Sequence, residues 1–280
     1  MDFKKKIKTE LYHDHFENAK RYNIPRAQLI IADIPYNIGN NAYASNPQWY
    51  VDGDNSNGES KLAGKSFFKT DEKFNIDNFF NFCTRLLRPE PKETGKAPCM
   101  IIFCAIEQMH YVIEKGKEFG FKRNQPRFFI KNYSGQVLKV NMRAVGATEF
   151  AVILYREKLP KFNNYGKMIF DWAEWRRDTT SPKIHPNQKP VPVLKELIET
   201  YTDPYDVVID PVAGSATTLR AAAECNRSSY GFEIEREFYN QAIEKMLKNI
   251  PVRLELEYEE EVFIKTDIFD YMEASDETTP

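Results

Sequence analysis

No two cysteines of this sequence stand in Cys-x-x-Cys spacing. The four present, Cys83, Cys99, Cys104 and Cys225, are scattered, and two of them lie in one apolar, strand-like run. That argues against a zinc ribbon or a disulfide framework and for thiols buried in a core. Histidine is also scarce. His13 and His15 have no cluster of partners, so a solvated or capping role is expected for both and no metal site is expected. No apolar run approaches the ~18 residues that cross a bilayer. No apolar segment follows the charged start Met1 to Lys6, so neither a signal peptide nor a membrane association is expected, and a cytoplasmic location is. An excess of positive charge is missing too. The net charge is −2, so a surface for nucleic acid has to be local. One such place exists. Residues 119–148 contain no Asp or Glu, yet hold Lys122, Arg123, Arg127, Lys131, Lys139 and Arg143. A stretch of that kind can line a phosphate backbone.

What is there is a chain of 280 residues, 42% of them hydrophobic, enough for one large α/β domain or a domain with an insert. The run Gln28 to Ala32 reads as a buried strand, and Asp33-Ile34-Pro35-Tyr36 closes it. An acid, a proline of fixed φ and an aromatic ring are thereby placed at the C-terminal end of a strand, where open α/β sheets bind ligands. The arrangement suits a flat molecule with an exocyclic amine. Asp33 and the carbonyl of Ile34 can accept from the amine, and Tyr36 can stack on the ring.

Further strands are expected at 99–104, 127–131, 149–155, 206–210 and 229–233, with a last one at Val262 to Ile264. Helices are expected after Phe74, over 106–119, from Val193 to Tyr201, from Leu219 to Cys225 and from Glu235 to Asn249. Strands separated by helices predict a doubly wound parallel sheet. Residues 37–74 form a long glycine-punctuated stretch with scattered aromatics, expected to act as a lid over a pocket. Residues 157–184 are polar and broken by proline, reading neither as sheet nor as long helix; they are the candidate insert. The boundaries follow as 1–156, 157–184, 185–254 and an acidic tail at 255–280.

In the second half, strand 206–210 runs into the small-residue turn Pro211-Val-Ala-Gly214-Ser215-Ala-Thr217-Thr218. A helix, a second strand and then Glu233 follow. Such a unit binds nucleotides: the turn lets the backbone approach a ligand, and the acid can accept from two ribose hydroxyls.

With these residues in view, the sequence resembles the amino-group DNA methyltransferases in their beta-type motif order. Asp33-Ile34-Pro35-Tyr36 matches the catalytic Asp-Pro-Pro-Tyr motif. Asp210 to Thr218 matches the cofactor loop Asp-Pro-Phe-x-Gly-Ser-Gly-Thr-Thr, and Gly231-Phe-Glu233 follows it. His185-Pro-Asn-Gln188-Lys189-Pro190 is similar to the segment that abuts the cofactor's methionine part. Ile34 stands where proline is usual, and Val212 and Ala216 where Phe and Gly are usual. Val212 offers less surface to the cofactor, and Ala216 puts a methyl where the backbone must approach it.

The resemblance implies a Rossmann-like S-adenosylmethionine-dependent methyltransferase sheet with a small target-recognition insert. It implies S-adenosylmethionine as cofactor, held by Asp14, Asp210, Pro211, Val212, Gly214, Ser215, Thr217, Thr218, Glu233, Gln188 and Lys189. Asp33, Ile34, Pro35 and Tyr36 are the implied catalytic residues. The partner implied is double-stranded DNA, met by Lys122, Arg123, Lys139, Arg143, Arg176 and Arg177. A separate restriction endonuclease and a homodimer are the further associations it leaves open. The target base would leave the duplex to react. Acid-first motifs go mostly with adenine, so N6-adenine is the expected target, with N4-cytosine or a catalytically silent DNA-binding relative as the alternatives.

Overall fold

The computed structural model describes residues 7–35, 74–132, 147–184 and 188–251. Tyr36, the stretch 37–73, Lys139, Arg143, residues 185–187 and the expected strand at 262–264 lie outside the described residues.

Eight strands form one sheet: β1 (Thr9–Tyr12), β2 (Leu29–Asp33), β3 (Cys99–Phe103), β4 (Arg123–Lys131), β5 (Thr148–Tyr155), β6 (Trp172–Trp175), β7 (Val207–Asp210) and β8 (Ser228–Phe232). Their order across the sheet is β1-β8-β7-β2-β3-β5-β4-β6. The helices are α1 (Ile76–Leu86), α2 (Ile106–Glu118), α3 (Val191–Tyr201), α4 (Thr217–Glu224) and α5 (Arg236–Gln241), the last continued by a π-helical turn at Ala242–Met246. A 3₁₀ helix at Phe16–Arg21 follows β1. His15 is its N-cap, accepting from the Glu17 N–H, so the capping role expected for this residue holds. Among the described residues no helix is long and apolar enough to cross a membrane.

Alternation along the strands feeds two cores, one on each side of the sheet. Ile30 and Ala32 of β2 face α1 and α2, where Phe16, Phe79, Phe80, Phe82 and Phe121 interlock. Leu29 and Ile31, on the other side, meet Leu194, Leu197 and Ile198 of α3 and Ala221 and Ala222 of α4. Asn75 starts α1 by accepting from the Asn78 N–H, a cap that satisfies one of the first-turn donors. All four cysteines are buried and unoxidised, as composition suggested.

Two expectations need correction. The sheet is mixed, not wholly parallel: β5 runs antiparallel to both β3 and β4. Parallel neighbours need a crossover, whereas β4 and β5 follow each other along the chain as adjacent antiparallel strands. The stretch 157–184 is also not wholly outside the sheet. Trp172–Trp175 pairs parallel with β4 as the edge strand, and Trp175 is buried against Phe103 and Phe129. Its four residues are too few, and too polar in between, to announce a strand.

β7 and β2 are parallel neighbours, and their helical connections leave in opposite directions across the sheet. This is the topological switch point, and it puts the C-terminal ends of both strands side by side. Gly231 of β8 lets α4 pack closely there. A Cβ at that position would lie 2.8 Å from Leu219 Cδ1 and 3.1 Å from Ala213 Cβ. Gly231→Ala is therefore expected to destabilise by about 1–3 kcal/mol, a melting-temperature fall of roughly 2–10 °C. In a Leu219→Ala background the added penalty should shrink; an equal penalty there would refute the clash.

Candidate active site

The C-terminal edge of the sheet carries a row of side chains that all point to the α3 side. Alternation assigns them. Asp210 lies two residues beyond Val208, Asp33 two beyond Ile31, Glu149 two before Ala151 and Lys131 two beyond Phe129, and each of those neighbours faces α3. In sheet order the row reads Asp210, Asp33, Phe103, Glu149, Lys131, Trp175. Lys189, just before α3, reaches into it.

Lys189 is almost wholly buried, and its Nζ lies 2.6 Å from Asp33 Oδ2 and 3.9 Å from Glu149 Oε2. The rings of Phe103 and Trp175 flank it at 5.3 and 5.8 Å from their centroids. Glu149 is itself paired with Lys131. Burial alone would lower the lysine pKa, but the charges of Asp33, Glu149 and Asp210 outweigh it, and the ammonium is held above its ordinary value. An unpaired ammonium here would be untenable. The sequence motif placed Lys189 among the expected cofactor contacts; in the structure its ammonium pairs with Asp33.

Asp33 ends β2, and its side chain is about one-third exposed. Ile34 is buried in the α1–α2 core, its N–H bonded to the Phe103 carbonyl at 3.2 Å. The Pro35 carbonyl accepts from Gln108 Nε2 at 2.9 Å, while Gln108 Oε1 accepts from the Ala105 N–H at 3.1 Å. Gln108 thus fastens the catalytic turn to the start of α2. Sequence reasoning missed it, because a lone glutamine 73 positions away carries no local signal.

Asp210 is buried at the end of β7. Burial pushes its pKa up to about 7, opposed by bonds from the Thr218 hydroxyl and the Val212 N–H, with Asp33 adding repulsion and Lys189 attraction. Glu233 follows β8 directly and is also pushed up to about 7 by burial, against backbone N–H bonds from Glu235 and Gly214. The Glu233 N–H bonds the Tyr12 carbonyl and the Ala213 N–H bonds the Phe232 carbonyl, so the loop after β7 and the end of β8 form one unit. Gly214 has φ +52°, and nothing lies within 4 Å of where a Cβ would project. Open space over a backbone turn, beside a buried carboxylate, fits the ribose and backbone-held end of a nucleoside cofactor.

The other expected residues divide. Pro211, Ser215, Thr217 and Thr218 are buried in the turn and the first turn of α4. Val212 packs against the α1–α2 core. Ala216 keeps the left-handed conformation of the usual glycine, φ +59°. Its methyl is buried with Leu11, Leu219 and Ala242, so it does not obstruct the ligand side as the sequence suggested. The strain of about 1–2 kcal/mol is offset in part by the ~0.8 kcal/mol of burying one methyl. Asp14 follows β1 beside the Glu233 strand, but its carboxylate accepts from the His15 N–H, Asn18 Nδ2 and the Tyr22 hydroxyl, capping the 3₁₀ helix. The Gln188 amide ties its own segment, accepting from the Ile184 N–H and donating to the Pro182 carbonyl.

The structure does not bring Lys122 and Arg123 to this edge. Arg123 pairs with Tyr155 and Arg127 with Ala151, which is opposite Phe103. Lys122 and Arg123 therefore lie about 13 Å away, toward the opposite edge of the sheet, where both pair with Glu157. Arg127 is buried and paired with Glu196. It lines a cavity of about 380 Å³ between β6, α3 and residues 163–170, away from both motif loops. Arg176, paired with the neighbouring Glu174, and Arg177 do follow β6 at the catalytic edge.

Known proteins share this layout. The solved complex of M1.HpyAVI with S-adenosylmethionine superposes with a TM-score of 0.60 at 21% identity, covering 84% of this chain and 97% of that one. The cytosine-N4-specific PvuII DNA methyltransferase gives 0.62 at 16% identity over 89% and 91%. In sequence, the DNA adenine methyltransferase YhdJ of Escherichia coli K12 is 24% identical, over 87% of this chain and 84% of its own length. The DNA methylase family model, which joins N6 and N4 enzymes, matches residues 27–244. With that match spanning most of the chain, and with the turns after β2 and β7 meeting at one switch point, the chain belongs to the N6/N4 DNA methylase family.

Proposed function

We propose that this protein methylates the N6 amine of adenine in double-stranded DNA, with S-adenosylmethionine as donor. The observation that carries the reading is the acid Asp33 at the switch point, paired with the Lys189 ammonium at 2.6 Å and next to the strand that leads into the Gly214 turn. The donor supplies a methyl group on a sulfonium, already a good electrophile. Glu233 accepts from its ribose hydroxyls, and the turn at Gly214 admits it to the backbone. Lys189 lies on the Asp33 side of this site.

The target amine is a poor nucleophile because its lone pair is shared with the ring. Accepting hydrogen bonds at Asp33 and the Ile34 carbonyl favours the pyramidal amine and frees that pair. The nitrogen would take the methyl as the carbon–sulfur bond breaks with its electron pair on sulfur, leaving a neutral thioether, and the extra proton on nitrogen would pass to water. Positive charge growing on nitrogen faces a fixed carboxylate. Alignment of the two reactants in a held geometry supplies much of the rate. Tyr36 is proposed to stack on the flipped base.

DNA is proposed to approach along the edge where β4 and β6 end. Lys131 ends β4 at that edge, and β5 starts there at Thr148. Arg176 and Arg177 follow β6 there. A separate restriction endonuclease would be a further partner of the duplex, not of this site.

Three measurements test the reading. Asp33→Ala should abolish most transfer to unmethylated DNA while leaving donor binding intact, and nucleoside digestion of wild-type product should give N6-methyladenine. N4-methylcytosine would move the target to cytosine, and an active Asp33→Ala would remove the mechanism. Donor affinity should also depend on pH. Glu233 must be ionised to accept from hydroxyls, and its pKa of about 7 lies above the ordinary 4.5. The unliganded protein therefore loses stability as pH rises from about 4.5 through 7, and donor binding recovers it by favouring the ionised form. Calorimetry should find donor binding about tenfold weaker at pH 6 than at pH 8. Glu233→Gln should flatten that dependence and weaken binding at pH 8 by roughly tenfold to a hundredfold; an unchanged profile would dismiss the assignment. Finally, reversing Lys139 and Arg143 to Glu should reduce the salt slope of DNA binding by about two. The same reversal at Lys122 and Arg123 should leave it alone. Equal effects would refute the docking edge.

A further inference from the structure

The four charges Asp33, Lys189, Glu149 and Lys131 alternate in sign along the sheet edge. Methyl transfer as described uses Asp33 and its ion-pair partner Lys189 and gives Glu149 and Lys131 no part. That second pair is also costly to bury, and apolar side chains of similar size would fill the same space. The arrangement of the four is specific. The Lys189 ammonium has three protons, and its position between Phe103 and Trp175 restricts where they point. One direction serves Asp33 Oδ2 at 2.6 Å and another faces Glu149 Oε2 at 3.9 Å. Lys131, 5.6 Å from the Trp175 centroid, pairs with Glu149 and holds it in place.

We propose that Glu149 and Lys131 are positioning residues for methyl transfer, setting through Lys189 how strongly Asp33 accepts from the target amine. The inference rests on Asp33 being the acceptor. An Asp33 facing Lys189 alone would be a weak acceptor, because a full ammonium charge would saturate it. Without the ammonium it would stand as one carboxylate beside another, that of Asp210 on the neighbouring strand. Glu149 draws part of the Lys189 charge away from Asp33, and Lys131 limits how far Glu149 does so. The groups facing Asp33 and Lys189 are accounted for by element: Asp210 from β7, Glu149 from β5, Lys131 from β4, and the Cys104 thiol after β3. The thiol is neutral, since burial and then the charge of Asp33 push it up to about 12.

The alternation gives a signature that general damage to the fold does not. Transfer rates on unmethylated DNA at saturating donor would be measured against pH for Lys189→Met, Glu149→Gln, Lys131→Met and Asp33→Asn. Lys189→Met removes the cation from Asp33, so the acid limb of the profile should move to higher pH by about one unit. Glu149→Gln leaves Lys189 wholly to Asp33, so the limb should move to lower pH, with a maximal rate about tenfold down as the acceptor weakens. Lys131→Met strengthens the pull of Glu149, so the limb should move up again, by less. Donor affinity should stay within threefold of wild type in Glu149→Gln and Lys131→Met. Shifts of one sign, or none, in variants that keep their melting temperature would overturn the inference. Where Lys189→Met fails to fold, the opposed shifts of Glu149→Gln and Lys131→Met decide alone. An active Asp33→Asn would instead bring down the acceptor reading itself.

Discussion

The buried ion pair between Lys189 and Asp33 is the constraint on which the rest of the site depends. It joins two parts of the chain 156 positions apart, the end of β2 and the entry to α3. Losing one partner of such a pair leaves an uncompensated charge, worth about 3–5 kcal/mol when fully buried. Asp33 is partly exposed, so solvent takes back some of that. The pair is thus a modest contributor to stability and a strong determinant of geometry. It sets a cation against one carboxylate at a place where a second, Asp210, pushed toward protonation by burial, lies on the neighbouring strand.

That pair works because of the switch point. Asp33 and Asp210 are neighbours only because β2 and β7 are, and those strands are adjacent because their helices cross in opposite directions. The same parity that sends Leu29, Ile31 and Val208 into the α3 core sends both acids to the α3 side of the edge. Register therefore does chemical work: a one-residue slip of β2 would carry Asp33 to the α1–α2 side and bring Ile34 into its place. Gln108, bridging the start of α2 and the Pro35 carbonyl, pins that register beyond the last ladder bond.

Much of this was legible in the sequence, for physical reasons. Buried strands such as 99–103 and 207–210 are continuous apolar runs, and the acids and small residues after them have local signatures. What was not legible depended on pairing. The antiparallel direction of β5 leaves no mark on its continuous apolar run. Trp172–Trp175 becomes a strand because β4 offers an edge, not because four residues demand it. The charge row exists only once six strands are in order, and its members are spread from Asp33 to Asp210 along the chain. The basic stretch shows the same dependence on tertiary partners. Lack of acids within 119–148 said nothing of Glu157 and Glu196, which reach Lys122, Arg123 and Arg127 from outside it.

The three departures from the family motifs are intelligible from the same division of labour. At 34, 212 and 216 the site uses the backbone, while the side chain belongs to a core. Isoleucine at 34 keeps a carbonyl and buries its side chain with the phenylalanines under β2. Valine at 212 keeps the N–H that bonds Asp210 and rests on the same core. Alanine at 216 keeps the left-handed turn that starts α4, its methyl among Leu11, Leu219 and Ala242. Substitution at such positions is limited by packing volume and by φ, whereas Asp33, Asp210 and Glu233 present carboxylates at the strand ends, where charge is the constraint.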